Sequence, residues 1–228
     1  MKLSQGILNE AVDFARQSYL GYEDGQKRYD CAIKLVKQCN LIGAQAGFSK
    51  QDLMTAHLSA LFLYSGEKFP PVKNEEGGFA VAEKFLTEKE VDVDTIEAIK
   101  DCINAVFPPQ VPIDMPGQLL CDALNSFLVE KNNPSPDELY LNIYGISSHN
   151  QANEKYKGWL NYLENLVFFT NPAKKEFEKA LKKKITWLKK TLSVSAGTEE
   201  LAISSESATT PDIFSETKPD RGAATLFR

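Results

Sequence analysis

The amino-acid sequence predicts an all-α domain over residues 1–192, a helical bundle, followed by a flexible C-terminal linker over residues 193–228. Apolar residues recur at helical spacing in almost every segment up to Leu192, and no run alternates convincingly with a period of two. After Leu192 the composition turns to Ser, Thr, Ala and acids, with too little bulk to bury a core of its own.

Taken in order, Ile7, Leu8, Val12, Phe14, Ala15 and Leu20 mark a first helix. A second runs over about residues 27–46, with Cys31, Leu35, Val36, Cys39 and Ile42 on its apolar side. Gly47 stops it, as a glycine just past a helix commonly does. The third helix has the best-marked start. Ser49 is a natural N-cap, Asp52 favours the positive helix end, and Phe48 and Leu53 are placed to staple the cap. This helix is expected to continue through "MTAHLSALFLY" to Gly66. Paired prolines and glycines then make "GEKFPPVKNEEGG" a loop. Further helices are predicted around residues 79–86, 95–106, 116–129, 137–146, 153–168 and 173–192, with Pro116 and Pro136 suited to first turns.

Composition narrows the function. The chain of 228 residues is 43% apolar and 25% charged, the profile of a folded soluble protein. Its net charge of −5 argues against nucleic acid as a partner, for which a basic footprint is expected. The four cysteines (Cys31, Cys39, Cys102 and Cys121) lie in apolar periodic segments without metal-type spacing, and read as reduced, buried thiols of a cytosolic protein. The first twenty residues carry charges through their apolar run, so they make neither a signal peptide nor a membrane span. Neither GxxxxGK nor GxGxxG occurs.

The order of signals resembles the HD superfamily of metal-dependent phosphohydrolases, an all-helical fold named for an adjacent His-Asp metal pair. "RYDCAIKLV" stands at the first-helix position, "AGFSKQDL" at the turn, and "ALFLYSG" where the family has an Ala-Leu-Phe-His-Asp ending. "NEEGGFAVAEKFL" follows where many members have His-Glu before a small-residue helix, "INAVFPP" where an Ile-x-Ala-Thr element is common, and "LLCDALNSFL" resembles the helix with the final metal-binding Asp. The resemblance covers roughly residues 26–130. It implies that Cys31 stands for the first His ligand, Leu63 and Tyr64 for the signature His and Asp, and Asn74 for the auxiliary His, with Glu75 keeping the acid after it. Asp122 alone keeps a metal-binding residue of the pattern. Leucine has no donor atom, and a phenol with a pKa near 10 is a poor ligand for a divalent ion at neutral pH. A catalytic zinc site takes three protein ligands and harder ions want several oxygens. His57 lies about 10 Å along the helix from Tyr64, and His149 lies in a connector. The expectation is therefore a silent site with no catalytic residue, no metal and no cofactor. A residual polar pocket is expected around Tyr64, Glu67, Glu75 and Asp122.

The last nine residues, "DRGAATLFR", resemble an Arg-Gly-x-x-Thr-x-Phe-Arg phrase that precedes the transmembrane region of cyclic-pyrimidine antiphage (Pycsar-type) effectors, some of which carry an N-terminal HD-like domain. The resemblance implies a catalytically silent sensor or regulatory module that binds a nucleotide or a partner, at the cytosolic face of the inner membrane. The anchor would be a segment beyond Arg228. Two other readings stay open: a phosphohydrolase or phosphodiesterase with a site rebuilt from Cys31, Glu67, Glu75 and Asp122, and a homo-oligomerisation module. The lysine-rich last helix has two readings as well, a solvated basic face or a face drawn to anionic lipid headgroups.

Overall fold

A computed structural model describes residues 2–66, 77–129 and 152–206. They form α1 (Gln5–Leu20), α2 (Gly25–Ala46), α3 (Lys50–Phe62), α4 (Gly78–Glu88), α5 (Val93–Ala105), α6 (Met115–Val129), α7 (Ala152–Asn165) and α8 (Asn171–Glu206), with no strand among the described residues. The fold is all-α, as the spacing predicts. The helix expected at 137–146 and the loop residues 67–76 lie outside the described residues. The chain divides into two compact units, Met1–Leu192 and Ser193–Arg228. Within the second, 193–206 are helical residues of α8, in a stretch expected to be linker, and 207–228 lie outside the described residues.

Helix α3 is the axis of the first unit. Every residue from Met54 to Phe62 is buried, the condition of a helix surrounded on all sides. The Ser59 hydroxyl is accommodated locally: it donates to the Thr55 carbonyl at 2.9 Å and reaches the Ile99 carbonyl of α5 at 3.3 Å. Phe62 packs with Phe14 of α1 and Phe85 of α4, with ring centroids 5.0–6.2 Å apart. At that spacing tilted and edge-on aromatic pairs attract.

The caps follow from the residues that make them. Ser4 Oγ accepts the Ile7 N–H at 3.3 Å and starts α1. Ser49 Oγ accepts the Asp52 N–H at 3.1 Å while donating to the Asp52 carboxylate at 2.6 Å, so the predicted start of α3 is observed. Asp92 caps α5 through the Thr95 N–H at 3.0 Å, and Asp114 accepts the Gly117 N–H at 2.8 Å at the head of α6. Gly47 closes α2 with φ +70°, a left-handed conformation that glycine adopts without penalty.

Two helices end earlier than expected. α3 stops at Phe62 instead of reaching Gly66, because the Ser65 amide and hydroxyl both turn back onto the Phe62 carbonyl, at 3.0 and 2.7 Å. α7 stops at Asn165 instead of 168, and 166–169 run without helix into α8. The cause is a set of side chains on α6, described below.

Candidate functional site

The end of α3 is the place where the sequence expects a degenerate metal centre. The last carbonyls of a helix lack partners within it, and here side chains from α1 and α2 supply them. Tyr19 donates its hydroxyl to the Leu61 carbonyl at 2.8 Å and accepts the backbone N–H of Tyr64. Burial raises the pKa of this phenol far above its ordinary value, so it acts as a neutral clamp. Arg28 of α2, itself buried, donates to the Gly66 carbonyl at 3.2 Å, pairs with Asp24 at 2.7 Å, and lies 4.5 Å over the Tyr22 ring. Tyr22 in turn reaches the Ser65 carbonyl at 3.4 Å.

On its other side this turn is closed by backbone. A Cβ added to Gly78 would fall 1.9 Å from the Phe62 carbonyl oxygen and 2.9 Å from that of Leu63. A Cβ on Gly66 would fall 2.6 Å from the Gly77 backbone. Only residues without a side chain permit such an approach. Leu63, Tyr64 and Cys31 are each at most 1% exposed, so all three occupy the core. Leu63 is packing, in keeping with its chemistry. Glu67, Asn74, Glu75 and His149 lie outside the described residues. Among the described residues no three His, Cys, Asp or Glu side chains converge as a metal set would.

Asp122 sits in the middle of α6, fully buried. Its Oδ1 accepts the Phe169 N–H at 2.7 Å and its Oδ2 the Thr170 N–H at 2.8 Å. Burial pushes its pKa up, while those two amides, the Thr170 hydroxyl and the charge of Lys174 pull it back. Thr170 then caps α8, its Oγ1 accepting the Ala173 N–H at 3.3 Å. One turn along α6, Asn125 exchanges amide hydrogen bonds with Gln110 at 2.9 and 3.3 Å. It also accepts from the Tyr162 hydroxyl at 3.1 Å and reaches the Val167 carbonyl at 3.4 Å. Together Asp122 and Asn125 hold 167–170 out of helical form, which explains why α7 ends where it does. The carboxylate singled out as a surviving metal ligand serves as a clasp for the head of α8.

The clasped segment lines an open cleft of about 570 Å³, together with Gln45, Ala46, Phe48, Met115, Gln118 and the first turn of α8 through Lys175. None of Cys31, Leu63, Tyr64 or Asp122 lines it. Ala46 and Phe48 flank the start of α3, so the cleft lies about 20 Å from the Phe62 end at 1.5 Å per residue. Its composition suits recognition: amides from Gln45, Gln118 and Asn171, apolar surface from Phe48, Met115 and Phe169, and one ammonium. Sequence reasoning missed it because its lining comes from three stretches far apart in the chain. The clue was Asp122, an acid in an apolar helix that requires partners.

The four cysteines are buried and unpaired by disulfides, as their spacing implies. Burial raises the thiol pKa values of Cys39, Cys102 and Cys121 far above the ordinary range, which makes them poor nucleophiles. No described helix is long and apolar enough to cross a membrane. Comparison with known proteins yields no match: no family model, no curated protein and no solved structure is found similar to this chain.

Proposed function

We propose that the domain is a catalytically silent, HD-like sensor that binds a small anionic ligand of nucleotide size and passes the event to the helix leading towards the C-terminus. The observation that carries this reading is the cleft at the head of α8. Its volume of about 570 Å³ falls within the roughly 300–1,000 Å³ usual for small-molecule sites. Lys175 and the N-terminal turn of α8 favour negative charge on the ligand, and Phe48 and Phe169 offer apolar surface to a base. A ligand there touches 169–172, the segment held by Asp122, so binding bears directly on the start of α8. The described part of the expected catalytic centre supports the silent reading, since its positions are filled by packing and its one carboxylate is engaged by backbone amides. The sequence resemblance to HD domains and to the antiphage effectors' terminal phrase supports a role for such a sensor in a signalling or antiphage membrane protein.

The test is calorimetry with a panel of cyclic and linear nucleotides, run beside a phosphoester hydrolysis assay with added divalent metal. Expected are saturable heat for at least one nucleotide, its loss in Lys175→Glu, and no turnover. Hydrolysis by the purified chain, or the absence of heat with every nucleotide, overturns the proposal.

A further inference from the structure

Apart from Lys175, the lysines of the last helix do not line the cleft. Between positions 171 and 192 stand eight lysines, two glutamates and no arginine, a surplus of six positive charges in a chain of net charge −5. At 100° per residue, Lys175, Lys179, Lys182, Lys183, Lys189 and Lys190 fall within an arc of about 120°. All six are exposed. Thr186 lies at the middle of the arc, and Glu176 and Glu178 lie just beyond its two borders. The opposite side is interior, with Ala173, Leu181 and Leu188 buried. Lys184 falls on that inner side, its ammonium 5.3 Å from the Trp159 ring and 5.7 Å from that of Trp187. Lys184 is thus accommodated by aromatic faces, half-buried Lys174 lies outside the arc with its charge bearing on Asp122, and the other six lysines form a single outward surface.

That surface is electrostatically self-opposed. Lys175, Lys179 and Lys183 follow one another at i, i+4, where like charges repel. Lys189 pairs with Glu164 at 2.7 Å, whereas Lys175, Lys179, Lys182 and Lys183 form no ion pair among the described residues. An anionic surface relieves this repulsion.

The shape of the face selects among anions. It is a straight convex stripe about 22 Å long at 1.5 Å per residue, on a helix whose other side is fixed to the domain. Such a face can lie flat on a plane along its whole length. The charged groups are all ammonium ions, which interact as point charges, and the arc offers neither a bidentate guanidinium nor an aromatic ring for stacking on bases.

We propose that this face docks the domain onto an anionic phospholipid bilayer. The inference stands on the helix alone and holds whether or not the cleft takes a ligand. It is tested by co-sedimenting the full chain with phosphatidylcholine vesicles, with and without about one third phosphatidylserine. Expected is binding that requires phosphatidylserine and disappears at high salt, where charges are screened. Three lysines near the surface, each contributing roughly fivefold, predict that Lys179→Glu/Lys182→Glu/Lys183→Glu weakens binding about a hundredfold or more. The same three positions changed to Gln give a smaller loss in the same direction. Since the three side chains are exposed, unchanged circular dichroism is expected for both variants, and the Gln variant reads the effect if the Glu variant misfolds. Equal sedimentation with both vesicle types at low salt overturns the proposal. So does tighter binding to a duplex DNA than to anionic vesicles at the same salt, which assigns the face to nucleic acid instead.

Discussion

If Asp122 is a clasp and not a vestigial metal ligand, replacing it should loosen one particular stretch of backbone. Asp122→Ala leaves two N–H groups without their acceptor, one buried at Thr170 and one partly buried at Phe169. A buried donor left unsatisfied costs about 1–3 kcal/mol, and the partly exposed one less because water reaches it. Together they predict a loss of about 2–4 kcal/mol. In urea, with a slope of about 2 kcal/mol per molar for a domain of this size, the midpoint should fall by about 1–2 M. Asp122→Asn keeps the shape and one acceptor but turns an NH2 group towards the second amide. Relief of the buried charge, whose pKa burial has raised, works in the opposite direction, so the loss should be nearer 1 kcal/mol. Hydrogen exchange locates the effect: the amides of Phe169 and Thr170 should lose protection before those of α3. Should the midpoint of Asp122→Ala stay within about 0.5 kcal/mol of the parent, or those two amides keep their protection, the clasp argument is wrong.

Tyr19→Phe removes the hydroxyl that serves both Leu61 and Tyr64, and is expected to lower stability by about 1–3 kcal/mol in urea titration because the freed groups are buried. His57 gives a pH signature. Burial lowers its pKa below 6.5, so the unfolded chain binds the proton more readily, and stability should fall as pH drops from about 6.5 through the folded value. His57→Gln should flatten that slope when midpoints are compared between neutral and mildly acidic buffers.

Local signals were readable wherever the physics is local. Ser49 with Asp52 and Gly47 with its left-handed backbone act within a few residues of themselves, and the structure places them as expected. The burial of α3 was equally visible in "MTAHLSALFLY", an apolar run with no polar face. Three other features depend on partners distant in the chain. The carbonyls at the end of α3 are met by Tyr19, 42 residues before Leu61. Asp122 meets amides 47 and 48 residues on, and Asn125 meets Val167 42 residues on. No periodicity encodes such pairings, so the early stop of α7 could not be anticipated. The residual pocket expected near Tyr64 and Asp122 differs from the cleft found at the opposite end of α3. A polar residue in an apolar helix announces that it has a partner, but not which one.

The Tyr19 hydroxyl has a consequence for how the domain comes apart. α1 supplies the atoms that finish α3, so the N-terminal helix is no detachable appendage. Peeling it away strips the innermost helix of its last-turn partners and bares Phe62 at the same moment. Melting should thus begin as a single event shared by the first and third helices, and a chain shortened by its first twenty residues should yield an unfolded polypeptide and not a trimmed domain.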